Sequence, residues 1–593
     1  MQANELLQQG LQYLQGRDYA AATRLLAEAD LLVPNEPMVV HFLGLARCKS
    51  GDFSSGIADV RRALALQPAN AMFRNNLANL LFEFGQAEEA EAQYRQILSL
   101  DPLQQFAWKN LGVLLQSRGQ FTEAEEAARK ALSLNSGDAV ANNVLGCVLR
   151  QRREFSEALS CFERAVALNP AVADHHLNLA LTLSDLGRFD EALVSYQAAL
   201  QRNPDSVSAY TSQGLVFFIQ GRMEEARASL QHGLALDPDF PKLRNNLGLL
   251  NIELGEYEQA RQHYRHALQV QPEFPQVRTN LGVLELTCGN FDPGWSLYES
   301  RFDCVELALR NHGPGERWRG QSLQGKKIFV FSEQGFGDTL NFVRYLPLLV
   351  AQGAEVVFEC QRPLLTLLRL NFASQPGLHL IGRGEAEPVD GDYFVSLLSL
   401  PAIFATDLQN MPALSPLQAS LPARQLWQER LRHVGRPRVG VCWAGSSTHR
   451  NDRHRSIPLS AFKRVAEGVG AHFVSLRRDD ADVTGKEAAA PANDSWPELT
   501  DLTRLFSDFN DTAACINELD LVVTVDTSVA HLAASLGKPV WMLTSYVPDW
   551  RWLLEREDSP WYPSLQLFRQ PQRGEWESVL SEVNAALRQC YPG

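Results

Sequence analysis

Apolar and small residues recur on a 34-residue period in the first half of the chain, and in the second half they gather into short apolar runs. From Ala3 to Phe274, eight units repeat without insertion or deletion. A small residue holds the eighth place of each unit: Gly10, Gly44, Ala78, Gly112, Gly146, Ala180, Gly214 and Gly248. A second holds the twentieth place, from Ala22, Gly56 and Ala90 through Ala124, Ala158, Ala192 and Ala226 to Ala260. Proline closes each unit at Pro34, Pro68, Pro102, Pro170, Pro204, Pro238 and Pro272, with Ser136 in the fourth copy. This spacing predicts helix pairs that approach closely at the small residues. One such pair cannot bury its own apolar face, so successive pairs stack into a superhelix with a concave groove. A ninth unit opens at Thr279, runs through Phe291, Trp295 and Tyr298, and loses the pattern at about Phe302, as expected of a terminal repeat remade to dock on the next domain.

Beyond an irregular junction the rhythm changes. Lys327 to Ser332 and Glu355 to Cys360 read as strands, with helices from Thr339 to Gln352 and through Leu368, and the alternation continues from Gly391 to Leu400. A second series has strands at Arg438 to Trp443, His472 to Leu476, Leu521 to Val525 and Val540 to Leu543. Strands alternating with helices of about a dozen residues imply parallel sheets covered on both faces. The expected fold is therefore an α superhelix followed by α/β: two doubly wound, Rossmann-like domains facing a cleft. The expected boundaries are 1–302 for the repeats, 303–324 for the junction, 325–428 for the first sheet domain and 429–593 for the second.

Charge narrows the partners. The net charge is −14; up to residue 300 there are 25 basic and 35 acidic residues, and in the remainder 30 and 34, so most of the excess lies on the repeats. Solvated outer helix faces account for such an excess. An acidic chain without a lysine-rich run argues against nucleic acid or an anionic membrane surface as the main partner. Nine scattered cysteines with no C-x-x-C read as reduced thiols, and neither a signal peptide nor a membrane span is expected, so the protein is expected in the cytoplasm.

Three segments carry candidate chemistry. Glu333 to Asp338 follows the first strand of the sheet region, but a carboxylate at the helix start repels an anion; Asp338 is either a helix cap or a general base at the cleft edge. Ala444 to Pro458 gathers Ser446, Ser447 and Thr448 with His449, Arg450, Arg453, His454 and Arg455, either a solvated loop or groups that hydrogen-bond and neutralise a diphosphate. Val525 to Ala534 runs from strand into helix with Asp526, Thr527, Ser528 and His531 at the start, suited either to capping and packing or to a phosphate and sugar hydroxyls.

The repeats resemble tetratricopeptide (TPR) repeats, whose groove commonly binds polypeptide. The order G-F-G-D-T-L, S-S-T-H-R-N-D-R-H-R-S-I-P and D-L-V-V-T-V-D-T-S-V-A-H-L-A-A-S-L-G-K-P, over most of 325 to 590, resembles the heptosyltransferase-type (family 9) glycosyltransferases. With the repeats and the stretch Asp549, Trp550, Arg551, Trp552, the chain is similar to bacterial TPR-linked glycosyltransferases, some of which modify flagellin. The resemblance implies the two-domain GT-B fold, a nucleotide-sugar donor and no metal. It places Asp338 as catalytic base, Arg455 on the donor diphosphate, and Asp526, Thr527 and His531 in the donor-binding segment. Ser528 stands where heptosyltransferases usually have glycine, and Phe342, Arg344 and Tyr345 replace a plain apolar helix.

Asn76, Asn110, Asn178, Asn246 and Asn280 share the sixth place of their repeats, interrupted by Gln8, Phe42, Val144 and Ser212. A carboxamide offers donor and acceptor to a peptide backbone without reading its sequence. The architecture resembles the O-GlcNAc transferases, whose groove carries an asparagine ladder, although Asn is also common at this place in TPR units. The function implied is an inverting protein O-glycosyltransferase acting on Ser or Thr of a protein acceptor such as flagellin. A lipid-linked or oligosaccharide acceptor, or an inactive scaffold, is the alternative. Two Asp-x-Asp triplets, Asp390/Asp392 and Asp480/Asp482, are the places where a metal would sit if one were used.

Overall fold

A computed structural model describes residues 2–307, 309–333, 335–385, 390–446, 452–478 and 496–593. The chain forms two compact units, Met1–Pro238 and Asp239–Gly593.

The first unit is helical throughout its described length, alternating from Gln2–Gln15 and Tyr19–Leu32 to Val207–Ile219 and Met223–Leu236. Asp18, Asp52, Asn70, Asp138 and Ser206 cap helix starts by accepting from a backbone N–H three residues on. The small residues are required where the sequence places them: a Cβ on Gly44 would lie 2.6 Å from the Gly56 carbonyl oxygen and one on Gly146 would lie 2.8 Å from the Phe162 ring. A second column, unread in the sequence, sets the turn inside each pair. Gly51, Gly85, Gly119, Gly187 and Gly221 all have positive φ, and Arg17 and Arg153 take the same left-handed conformation in their copies.

The second unit opens with two more helix pairs, Pro241–Glu253 with Tyr257–Val270 and Pro275–Thr287 with the shortened Phe291–Tyr298. Then come, among the described residues, ten strands: β1 (Glu316–Arg317), β2 (Lys327–Phe331), β3 (Glu355–Cys360), β4 (Leu378–Gly382), β5 (Tyr393–Ser396), β6 (Arg438–Cys442), β7 (His472–Ser475), β8 (Leu521–Val525), β9 (Val540–Thr544) and β10 (Leu565–Arg569). They form two five-stranded parallel sheets ordered β1-β5-β2-β3-β4 and β10-β9-β8-β6-β7. This is the expected TPR superhelix followed by an α/β region of two sheets. Central strands β6 and β8 are buried along their whole length, as parallel strands covered on both faces must be.

Three expected details differ. The helix from Thr339 to Gln352 is broken into Phe336–Phe342, a 3-10 turn and Leu346–Ala351, because Pro347 ends the hydrogen-bond ladder. The boundary at 428/429 falls inside the helix Leu421–Arg430, which packs on Phe509–Asn517 and carries Trp427 against Phe506, so the second sheet domain begins before it. The junction is part of the first sheet, to which it adds β1.

The ninth repeat is built into this unit. Phe291 and Trp295 belong to one continuous cluster of buried side chains that takes in Val330 and Phe358 of the first sheet domain and Val522 and Met542 of the second. Trp295 donates its indole N–H to the Thr406 carbonyl at 2.8 Å and meets Trp550 edge to face. The eighth repeat touches the second sheet domain through Glu253 and Arg573, 3.4 Å apart.

Cutting the chain before Asn311, at the junction, therefore opens a core. Fully exposing a large apolar side chain such as Trp550, which packs on Trp295, costs about 1.5–3 kcal/mol or more. A chain of residues 239–593 is expected to be monodisperse with one cooperative melt, and one of residues 311–593 to aggregate or melt far lower. Light scattering and calorimetry on the two check this.

Candidate active site

Each sheet reverses its winding once, between β2 and β5 in the first and between β6 and β8 in the second. In open α/β sheets ligands sit outside the carboxyl ends of strands at such points. All the expected site residues of the α/β half, so far as they are described, lie on the loops and helix starts that leave β2, β6 and β8.

The loop after β2 is held from several sides. Glu333 accepts from Arg301 Nη2 at 2.6 Å and from Ser396 Oγ, while the Ser332 and Glu333 carbonyls accept from Arg383 Nη2 at 2.6 and 2.7 Å. Arg301, at the end of the ninth repeat, is 1% exposed and also donates to Glu299 and Ser399. The loop delivers the chain to the helix Phe336–Phe342, whose cap residue is Gly335 without a side-chain cap bond. Asp338 is thus not the cap. Its Oδ1 accepts from Arg551 Nη2, and 26% of its side chain stays exposed.

Arg551 comes from the second sheet domain, in the Asp549, Trp550, Arg551, Trp552 stretch that follows β9. Its side chain is 7% exposed; Nη1 donates to Asp549 at 2.7 Å, and the guanidinium lies over the Trp550 ring at 4.2 Å and the Phe342 ring at 5.6 Å. Next to it, Trp552 Nε1 donates to Asp526 at 3.0 Å. Arg455, at the end of the short helix Asp452–Arg455, donates through Nη1 to the Asp526 carbonyl at 2.8 Å and through Nε to Asp452 at 3.3 Å. Gly445 is the residue that lets it through, since a Cβ there would lie 2.4 Å from Arg455 Nη2.

Thr527 is buried and caps the helix Ser528–Ser535, accepting from Val529 N–H at 3.3 Å; Ser528 is that helix's half-buried first residue. His531 lies inside the seam between the domains. Its Nδ1 is 3.0 Å from Tyr562 Oη, and a Cβ on Gly337, one residue before Asp338, would sit 2.6 Å from its ring. Ser446 is exposed on the loop after β6, whereas Ser447, Thr448, His449 and Arg450 lie outside the described residues.

The electrostatics follow from this burial. Desolvation raises the Asp338 carboxyl above the usual carboxylate range; Arg551 opposes it and Asp549 and Glu333 add to it. Asp526 is raised by burial and by Asp549, against the Trp552 N–H, Arg455 and Arg551. Burial brings His531 down to about 3, so its imidazole is neutral at physiological pH and serves packing and hydrogen bonding, not charge.

Of the two Asp-x-Asp pairs, Asp392 is engaged by Lys326 and by the Lys327 backbone N–H at the amino end of the first sheet, away from the strand ends that form the crevice. Asp480 and Asp482 lie outside the described residues. Among the described residues, no three His, Cys, Asp or Glu side chains are grouped to hold a metal ion.

The asparagine column has a use the sequence did not show. Asn110 Nδ2 donates to Asn75 at 3.0 Å, Asn178 to Asn143 at 2.9 Å and Asn280 to Asn245 at 2.9 Å, while Asn76 Nδ2 lies 3.0 Å from His41 Nε2. Each bond runs 35 residues back and ties one repeat to the preceding one. Asn246 is 5% exposed, and the other four are half-buried.

Arg551, Glu333 and Arg301 are the site residues that sequence reading left without a role. The D-W-R-W stretch was visible, but only folding shows that its arginine reaches across to the other sheet domain.

Family models match segments in both halves of the chain. Residues 43–104, 78–139, 143–193 and 177–241 match one tetratricopeptide-repeat family and 217–281 another, and residues 417–552 match glycosyltransferase family 9 (heptosyltransferase). Protein FlbA of Caulobacter vibrioides is 30% identical over 318 residues, 50% of this chain and 52% of FlbA, so the chain spans about half the length of that relative. Among solved structures, YrrB, a TPR protein with an unusual peptide-binding site, is 26% identical over 31% of this chain and 95% of its own, with a TM-score of 0.27. A thermophilic TPR protein of Thermus thermophilus is 25% identical over 31% of this chain and 99% of its own, with a TM-score of 0.28. The glycosyltransferase family 9 match covers the second sheet domain from before β6 to the D-W-R-W stretch, and the tetratricopeptide matches cover the repeats.

Proposed function

We propose that the protein is an inverting O-glycosyltransferase that moves a sugar from a nucleotide-activated donor to a Ser or Thr hydroxyl of a polypeptide held by the repeats. The observation that carries this reading is that Asp338 from one switch point and Asp526 from the other are both bonded to a single four-residue stretch, with Arg455 bonded to the Asp526 carbonyl and Thr527 next in the chain. Asp338 takes the hydroxyl proton as the acceptor oxygen bonds to the anomeric carbon from the side opposite the leaving group. The bond to the nucleotide phosphate breaks with its electron pair going to the phosphate oxygen, and the product is inverted at that carbon. Arg455 and the helix start at Thr527 offset the charge that develops on that phosphate. Ser446, Ser447, Ser528 and His531 complete the donor side. The step needs no metal ion. A flagellin is the first acceptor to test, on the resemblance to transferases that modify flagellin.

Asp338→Asn keeps the shape of the side chain and an acceptor for Arg551 but removes the base. Transfer should fall by about 10²- to 10⁴-fold, with donor affinity close to wild type and the melting temperature lowered because Arg551 loses a carboxylate partner. Transfer to acceptor peptide, measured in EDTA so that no metal contributes, checks this; a near wild-type rate removes Asp338 from the mechanism.

Arg455→Ala should weaken donor binding by about 1.5–3 kcal/mol, the worth of a charge-assisted hydrogen bond to phosphate, and leave acceptor binding unchanged. Titration calorimetry with nucleotide-sugars distinguishes this from a surface arginine, for which donor affinity would not move.

Changing Asn110 and Asn178 to Ala should weaken acceptor binding by about 0.5–1.5 kcal/mol per lost hydrogen bond and lower the melting temperature of the repeats. A lower melting temperature with unchanged acceptor affinity would leave the column a staple between repeats and nothing more.

A further inference from the structure

We propose that Arg551 is a positioning residue for the transfer: it reaches from the second sheet domain to Asp338 on the first and holds that carboxylate ionised and aimed, so the base is ready only while the two domains are closed. The inference rests on the reading of Asp338 as the base.

The geometry supplies its parts. Asp338 and Arg551 lie on different sheet domains, and the side chain of Arg551 is 7% exposed. Asp549, two residues before it, fixes Nη1 and leaves Nη2 for Asp338. Trp550 and Phe342, one from each domain, flank the guanidinium, and Phe342 ends the short helix that carries Asp338. Trp552 is tied to Asp526 and, through its carbonyl, to Arg569, so the D-W-R-W turn is fixed on the carboxyl side of the arginine. Closure itself is secured elsewhere: Arg344 of the first domain donates to the Trp561 carbonyl of the second at 3.0 Å, and Leu417 N–H donates to the Ser535 carbonyl at 2.8 Å.

Every charged or titratable group around Asp338 enters the balance. Asp549 faces it from the D-W-R-W turn, Glu333 from the loop after β2, Arg301 and Tyr298 from the ninth repeat, and the neutral His531 from the helix behind Gly337. Burial, Asp549 and Glu333 favour the protonated acid, and Glu333 is itself paired with Arg301. Arg551 is the cation in direct contact, and without it the balance tips toward a protonated carboxyl that cannot accept a proton.

Because a base works in its ionised form, removing Arg551 should move the acid limb of the pH–rate profile upward. Arg551→Gln is expected to shift that limb by about one to three units, the effect of one arginine on a neighbouring carboxyl, and to lower kcat at pH 7 with the donor KM little changed. Arg551→Lys, which keeps the charge and loses the fork, should leave the limb in place and lower kcat alone; it also serves if the glutamine variant fails to fold. In a double-mutant cycle the Asp338→Asn change should mask the Arg551 change, so that the double variant is no slower than Asp338→Asn. Rate losses that multiply, an acid limb unmoved in Arg551→Gln, or a donor KM raised tenfold at a fixed limb would overturn the inference, the last making Arg551 a donor ligand. An active Asp338→Asn enzyme is a separate outcome that strikes the base assignment itself.

Discussion

A guanidinium withdrawn from water stays charged, and its desolvation costs several kcal/mol unless carboxylates or other acceptors meet it. Arg551 meets this condition with one carboxylate from its own domain, Asp549, and one from the other, Asp338. A requirement of burial thus becomes a requirement on domain geometry: the two sheet domains must sit in the register that brings Asp338 to Arg551. The aromatic faces of Trp550 and Phe342 shield the guanidinium side of the pair from water, which strengthens it. Gly337 meets the same register from the other side, since only a residue without Cβ fits against His531.

Arg301 imposes the same condition one layer deeper. It joins the end of the ninth repeat to Glu333, five residues ahead of Asp338, and Glu299 and Ser399 extend the network to Arg317. Losing one partner of such a pair costs about 3–5 kcal/mol, because the other stays buried and unpaired. Elsewhere the repeats join one another through an asparagine bonded to an asparagine 35 residues earlier and through solvent-exposed ion pairs such as Arg61 with Glu89 and Arg129 with Glu157. Such contacts repeat with the sequence period and can be extended indefinitely. The buried network of Arg301 and Glu333 occurs where the period ends, and it ties the last repeat to the first sheet domain.

The superhelix was readable because its determinants are local and periodic, and β3 and β8 were read to the residue because central parallel strands are near-continuous apolar runs. The missed strands β1, β4 and β10 are edges; with one side unpaired they carry exposed positions, such as His379 and Gln566, that interrupt any such run. Asp338, Arg455 and Asp526 were found because each follows a strand, where α/β folds place ligands. Arg551 and Arg301 were not, because their partners lie 213 and 32 residues away and no periodicity links them. The asparagine column was seen, but its bonds to the preceding repeat were not, since the partners stand at a neighbouring place in the unit, which the alignment treats as a different column.

The cleft is a place where stability is given up. Asp338 and Asp526 both have carboxyls raised in the folded protein, so folding favours their protonated forms. Their contribution is therefore greatest below the ordinary carboxylate pKa and is lost as pH rises through the raised one, the reverse of a paired surface carboxylate. Arg551 and Arg301 both pull the Asp338 carboxyl down and limit that loss. The remainder is offset by the continuous apolar core beneath, which takes side chains from both sheet domains and from the ninth repeat. That core and the charged cleft above it require the same closed arrangement, so apolar packing supplies the stability that the acidic groups of the site take away.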